Sequence, residues 1–146
     1  ARSADVLLST RYNDHDLVVT GDLTRLKQIL INLTANAIKF TPAGGSVEIG
    51  VAMGAKGAPI ITVSDSGIGI EQSKIDRMFE PFTQGDGKNA RQFDGAGLGL
   101  AISRELARMH GGNLTLQSVV GQGTEAMLML PCNRIVSKRN SATEAA

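Results

Sequence analysis

Hydrophobic positions along the chain repeat with two periods, and the change of period divides the sequence into elements. Residues 46–52 place Val47, Ile49 and Val51 at every second position, and residues 59–64 form a second apolar run after a glycine-rich stretch over residues 53–59. Period-two alternation marks a strand with one face buried, and the short connection predicts that these two strands pair antiparallel. Residues 114–118 and 124–130 predict a further hairpin around Gly121-Gln122-Gly123, and residues 6–11 and 17–20 read as short strands separated by Tyr12-Asn13-Asp14-His15-Asp16. The helical period rules residues 22–40, with Asp22 as N-cap and Pro42 with Gly44-Gly45 as the stop. Residues 71–78 form a short helical stretch. Residues 98–110 form a second long helix, with Leu98, Ile102, Leu106 and Met109 as its apolar positions and Gly111-Gly112 closing it. Residues 84–99 are polar and glycine-rich, and a loop that long in a small domain is expected to be a lid or binding loop. Residues 132–146 are polar and aperiodic, so the expected organisation is one domain over residues 1–131 with a mobile tail over 132–146. Strands in hairpin spacing with segregated helices give an α+β class, a two-layer sandwich whose mostly antiparallel sheet carries its helices on one face.

The first long helix has an unusual polar stripe. At about 100° per residue, Leu26, Leu30, Leu33 and Ala37 fall on one side, widened by Ile29, Ile31 and Ile38. Gln28, Asn32, Asn36 and Lys39 fall together on the other. Such a stripe is ordinarily a solvated face. Two features favour a ligand-facing one. Asn is a poor helix former where Glu, Lys or Arg would serve, and the wide apolar arc implies burial on more than one side.

Composition narrows the chemistry. The chain has 146 residues, enough for one domain with a core, and 42% apolar against 20% charged residues is a soluble globular balance. A net charge of +1 gives no reason to expect nucleic acid or an anionic membrane surface, and 3% aromatic residues offer few stacking platforms for single strands. The single cysteine, Cys132, excludes an internal disulfide and suits a reducing, cytoplasmic setting. No apolar run approaches a membrane span and the first residues do not form a signal peptide. Glycine is the outlier at 17 residues, and it is clustered.

Each glycine cluster alone is a weak signal. Asp65-Ser66-Gly67-Ile68-Gly69 follows an apolar strand, where a carboxylate beside a glycine turn can accept hydrogen bonds in a pocket; a plain turn begun by Asp is the ordinary alternative. Gly95-Ala96-Gly97-Leu98-Gly99-Leu100 leads into a helix, whose N-terminus offers unpaired N–H groups and a favourable dipole to phosphate, with Lys88 and Arg91 upstream to neutralise charge. It is no dinucleotide fingerprint, because no strand leads into it, and no Gly-Lys-Ser/Thr phosphate loop occurs. Gly121-Gln122-Gly123-Thr124 reads as a hairpin turn.

In order, Asn32-Leu33-Thr34-Ala35-Asn36-Ala37-Ile38-Lys39-Phe40, Asp65-Ser66-Gly67-Ile68-Gly69, Phe79-Glu80-Pro81-Phe82, Gly95-Ala96-Gly97-Leu98-Gly99-Leu100 and Gly121-Gln122-Gly123-Thr124 resemble the N, G1, F, G2 and G3 boxes of the ATP-binding catalytic domain of sensor histidine kinases. The resemblance spans about residues 5–131. It implies the Bergerat ATP-binding sandwich shared with DNA gyrase, Hsp90 and MutL, with ATP and Mg2+ as ligands. Asn36 would hold the Mg2+, with Asn32 supporting it. Lys39 would reach a phosphate and Phe40 would pack on the nucleotide. Asp65 would accept from the adenine amino group, with Gly67 and Gly69 letting adenine approach the backbone. Gly95, Ala96, Gly97, Leu98, Gly99 and Leu100 would shape the lid and the phosphate-binding helix start, and Thr124 would lie near the adenine. Ala96 stands where Thr is usual, and Gln84 where some members carry an Arg. The γ-phosphate contact then falls to Arg91, with Lys88 in reserve.

A histidine kinase also needs a phospho-acceptor histidine. His15-Asp16-Leu17 begins like the family's acceptor box but runs on into Val18-Val19-Thr20, a β-branched run that favours strand over helix, and His110 beside Gly111-Gly112 reads as a cap or packing residue. The expectation is therefore a domain that donates the γ-phosphate to a histidine on a separate acceptor hairpin N-terminal to Ala1, with a response regulator downstream. Two rivals share the motifs. A gyrase-, Hsp90- or MutL-type ATPase would carry Glu at Asn32 to activate water, which Asn cannot do. A nucleotide-binding pseudokinase would signal by conformation.

Overall fold

The computed structural model describes residues 5–12, 17–81 and 99–138. Its first helix, α1 (Leu23–Lys39), starts where the sequence places its cap: Asp22 Oδ1 accepts the Arg25 N–H at 3.2 Å. The Phe40 N–H closes the other end on Asn36 O at 3.0 Å, and Thr41 Oγ1 donates to Ala37 O at 2.6 Å. Ile29, Leu33 and Ala37 are buried. Ile31, placed on the apolar side by the wheel, is instead 65% exposed, because it lies outside the narrower arc that meets the sheet.

Five strands form the main sheet in the order β1 (Leu7–Tyr12), β3 (Ser46–Met53), β4 (Pro59–Asp65), β6 (Gly123–Met129), β5 (Asn113–Val119). β3–β4, β4–β6 and β5–β6 are antiparallel, while β1 joins the edge parallel to β3. The mixed, mostly antiparallel sheet matches the expected class. α1 packs over β3 and β4, and α2 (Gly99–Met109) packs on α1 and over β5. The core between the layers gathers Ile29, Leu33, Val47, Val63, Leu106, Leu114 and Leu128. Each such side chain contributes about 1.5–3 kcal/mol of burial. The opposite sheet face carries a polar row, Ser9, Glu48, Ser64, Glu125 and Gln117, held by the Arg11–Glu48 ion pair at 3.4 Å and Ser64 Oγ donating to Glu125 Oε2 at 3.0 Å.

Three sequence expectations are corrected. In α2 the long apolar residues do not all turn inward: Met109 is 66% exposed and Ile102 39% exposed, while Ser103, Leu106 and Ala107 are buried. Ser103 meets α1 through Asn32, and Ala107, four positions on, shares its face of the helix. The stretch over 71–78 is two 3-10 segments, Gln72–Lys74 and Asp76–Phe79, with the Arg104 guanidinium 4.4 Å above the buried Phe79 ring. Residues 132–138 are not a structureless tail. A 3-10 turn, Cys132–Arg134, leads into β7 (Ile135–Lys138), which pairs antiparallel with β2 (Leu17–Val19) as a second, two-stranded sheet. Ile135-Val136 is β-branched but too short to show a period.

Candidate functional site

The candidate side chains that fall among the described residues lie at one end of the sheet, along α1 and at the start of α2. Leu8, Val47, Asp65, Thr124 and Ser118 are cross-strand partners in a single row. Val47 and Val63 are buried on the helix-covered face, and period-two alternation from Val63 puts Asp65 on that same face. The core face therefore ends in three polar side chains, contributed by three adjacent strands. Asp65 is half-buried. Its Oδ1 accepts the Gly67 N–H at 2.8 Å and the Thr124 N–H at 3.2 Å. Burial pushes its carboxyl above the ordinary aspartate value, and these two N–H donors pull in the opposite direction without cancelling it.

The turn after Asp65 is fitted against protein on both sides. A Cβ at Gly67 would come within 2.5 Å of Phe40 O and 2.8 Å of Asp65 Oδ1, and the Ile68 N–H donates to that same Phe40 carbonyl at 3.2 Å. Gly69 has φ +74°, and a Cβ there would collide with Val119 O. Ile68 O in turn accepts the Gly121 N–H at 2.8 Å. The end of α1, the turn after β4 and the β5–β6 hairpin are thus joined through backbone, and the two glycines are what permit the approach.

Along α1, Asn32 and Asn36 are half-buried rather than solvated. Asn32 Nδ2 donates to Ser103 Oγ of α2 at 3.3 Å. A methyl group at Gly99, the first residue of α2, would lie 3.9 Å from Asn32 Cγ and 4.0 Å from Asn36 Nδ2. The two asparagines and the start of the second helix, far apart in sequence, therefore meet. Lys39 and Phe40 lie half-buried at the C-terminal end of α1. Leu100 packs against the core. Lys88, Arg91, Gly95, Ala96, Gly97 and Leu98, together with Phe82, Gln84 and His15, lie outside the described residues.

Three polar residues that the sequence reading left without a ligand-site role prove structural hubs. Ser118 Oγ bonds the Ile70 N–H at 2.7 Å, Gly123 O at 2.9 Å and Thr124 Oγ1 at 2.8 Å. Its phase with Leu114 and Leu116 was the available signal that it turns inward. Fully buried Ser103 braces Asn32. His110 Nε2 accepts the Asp22 N–H at 3.0 Å and its Nδ1 contacts Leu106 O at 2.8 Å, so the ring carries its proton on Nδ1 and ties the end of α2 to the start of α1. The sequence reading of a cap or packing residue placed it at the end of α2, and the partner it holds is at the head of α1.

Among the described residues no helix is long and apolar enough to cross a membrane. Residues 21–134 match the family model described as histidine kinase-, DNA gyrase B-, and HSP90-like ATPase. The chain is 41% identical over 126 residues to the circadian input-output histidine kinase CikA of Synechococcus elongatus, covering 86% of this chain and 17% of that protein. It is 41% identical over 116 residues to the histidine protein kinase DivJ of Caulobacter vibrioides, covering 80% of this chain and 19% of that one. The chain thus spans less than a fifth of either relative. Among solved structures, full-length ShkA in complex with AMPPNP superposes with a TM-score of 0.75 at 33% identity, over 86% of this chain and 25% of that chain. The nucleotide-free catalytic domain of histidine kinase ThkA gives 0.73 at 29% identity, over 86% and 80%. Motif order, fold and relatives agree, and the chain belongs to the histidine kinase-, DNA gyrase B-, and HSP90-like ATPase family.

Proposed function

We propose that this domain binds Mg-ATP and donates the γ-phosphate to a histidine on a separate phospho-acceptor hairpin, with a response regulator as the downstream partner. The observation that carries the reading is the convergence of Asn32 and Asn36 on the first residue of α2, beside a sheet end that presents the half-buried Asp65 carboxylate. The N-terminal end of a helix such as α2 offers backbone N–H groups without helical partners and a positive dipole end, which would suit phosphate. Asp65 would accept from the adenine amino group, with Gly67, Gly69 and Thr124 around it and Phe40 against the nucleotide. Lys39 would contact phosphate. For Lys88, Arg91 and residues Gly95-Ala96-Gly97-Leu98 the proposal takes the roles that the resemblance implies.

The donor set fits magnesium. Mg2+ takes oxygen ligands and commonly relies on few protein groups plus substrate phosphates. The amide oxygens of Asn36 and Asn32 are of that kind, and among the described residues no three His, Cys, Asp or Glu side chains group to hold a metal. When bound, the ion neutralises phosphate charge. The protein's own contribution is to position the nucleotide for in-line attack by an external nucleophile and to balance charge. An amide at Asn32 cannot take a proton from water, which favours transfer over hydrolysis.

The test supplies an acceptor hairpin in trans with γ-labelled ATP. Label on the hairpin histidine is the expected result. Free phosphate released without the hairpin would instead support an ATPase, and nucleotide binding with neither product would overturn both enzymatic readings.

A further inference from the structure

The two ends of α2 are held differently. At its tail, a Cβ at Gly112 would collide with Met129 O, so the exit from the helix lies directly against β6. Buried His110 reaches the head of α1: its Nε2 accepts the Asp22 N–H at 3.0 Å, and its Nδ1 fixes the ring by donating to Leu106 O at 2.8 Å. The approach is close, because a Cβ at Gly21 would lie 3.1 Å from His110 Cδ2 and 3.3 Å from Nε2. The His110 carbonyl accepts from Arg134 Nε at 3.1 Å, and Arg134 O accepts the Thr20 N–H at 2.6 Å, where β7 and β2 come together. Nearer its start, α2 meets α1 through the longer 3.3 Å bond from Asn32 Nδ2 to Ser103 Oγ. At Gly99 even an added Cβ would stand 3.9 Å from Asn32 Cγ and 4.0 Å from Asn36 Nδ2.

We infer that His110 and Arg134 are positioning residues for the phosphate end of the proposed site. Pairing of β7 with β2 sets the tail of α2 against the head of α1, and α2 carries that setting as a lever to Gly99, beside the two asparagines. The inference rests on the reading that nucleotide phosphates lie between those asparagines and the start of α2. A helix of 11 residues is about 16 Å long, so a tilt of about 3.5° at its tail moves its start by about 1 Å. A shift of that size degrades contacts that depend on short, directional hydrogen bonds. Neither residue need touch the ligand. The other end of the site does not hang on the lever, since Asp65 is held by the Gly67 and Thr124 N–H groups, which belong to the turn after β4 and to β6. Release of β7 from β2 frees the Arg134 anchor, and phosphate binding weakens while the base contact persists.

The test compares Mg-ATP with adenosine, which lacks the phosphates, at a temperature where circular dichroism shows each variant to be folded. Arg134→Met keeps the side-chain length and loses the donor, whereas Arg134→Gln returns an N–H to the Nε position. Arg134→Met is expected to weaken Mg-ATP about five-fold, the low end of couplings between distant sites, and to leave adenosine unchanged. Arg134→Gln restores the wild-type affinity. Gly21→Ala, whose Cβ wedges the head of α1 away from His110, gives the same selective loss. A purely structural role would leave both ligands unaffected or weaken both alike, and either pattern overturns the inference. Gly21→Ala decides by the same criteria if Arg134→Met does not fold. Failure of the phosphate reading is separately visible, because the wild type would then bind Mg-ATP no more tightly than adenosine. The lever is still read in the free protein: amide exchange in the first turn of α2 is expected to rise in Arg134→Met, and unchanged exchange there overturns the inference whatever the ligands do.

Discussion

At the scale of single residues, Asp65 stands under two opposed demands. Its burial favours the protonated form, while the proposed nucleotide donor would be held more strongly by the ionised one. Because its native pKa is raised, the native state binds more protons than the unfolded chain between the ordinary aspartate value and the raised one. Its ionisation therefore lowers stability as pH rises through that window, and the cost persists at neutral pH. Asp65→Asn keeps an Oδ1 to accept the Gly67 and Thr124 N–H groups. Its midpoint of thermal unfolding at neutral pH is expected to equal or exceed that of the wild type, while ATP affinity falls by about tenfold or more with the loss of a charged acceptor. In the wild type, ATP affinity weakens as pH falls toward the raised pKa, and in the variant that dependence disappears. Calorimetric titration across pH checks both, and equal affinity in the two proteins would exclude Asp65 from the nucleotide contact. The inward aim of Asp65 was legible in sequence, since Ile61, Val63 and Asp65 keep one phase. The partner of Asn32 was not, because Ser103 is 71 residues away and only helix packing brings the two together.

At the scale of elements, the junction of α1 with α2 carries both structure and the asparagine site. Periodicity found both helices and the cap of the first. In α2 it found Leu106 but not Ser103 and Ala107, because large apolar residues dominate any hydrophobic pattern while these two are buried by being small. Gly99 separates stability from binding. Among the described residues, a methyl there makes ordinary van der Waals contact with Asn32 and Asn36. Gly99→Ala is thus expected to fold with unchanged or slightly higher stability, since Ala favours helix over Gly by up to about 1 kcal/mol. Mg-ATP affinity is expected to fall severalfold as the methyl intrudes between the asparagines and the helix start. Thermal unfolding and titration with and without chelator measure the two effects, and undiminished Mg-dependent binding would place the phosphates elsewhere.

At the scale of the molecule, the chain after Pro131 closes a circuit. Arg134 O accepts the Thr20 N–H at 2.6 Å and Arg134 Nε donates to His110 O at 3.1 Å, while His110 holds the Asp22 N–H at the head of α1. Truncation after Pro131 would be harmless if residues 132–138 were a tail. With β7 paired to β2, it is expected to cost on the order of 2–3 kcal/mol, from a few lost hydrogen bonds at about 1 kcal/mol each. Urea unfolding of the truncated and full chains decides the matter. The order of strands and helices was enough to read the class. Which strands are neighbours was less legible, because β1–β3 and β2–β7 pair segments far apart in sequence, and no local turn announces them.

The parallel edge strand has a consequence for how this molecule breathes. β1 is exposed along its whole length, and its one sheet neighbour among the described residues is β3. β4, by contrast, lies between β3 and β6. Local opening free energies follow such differences in pairing and burial, so β1 detaches in small sub-global excursions while β4 opens only with the whole domain. Asp65 ends the strand that opens last. The edge can open and close without releasing the row of Asp65, Thr124 and Ser118, so amide exchange is expected to be slow along β4 and fast along β1.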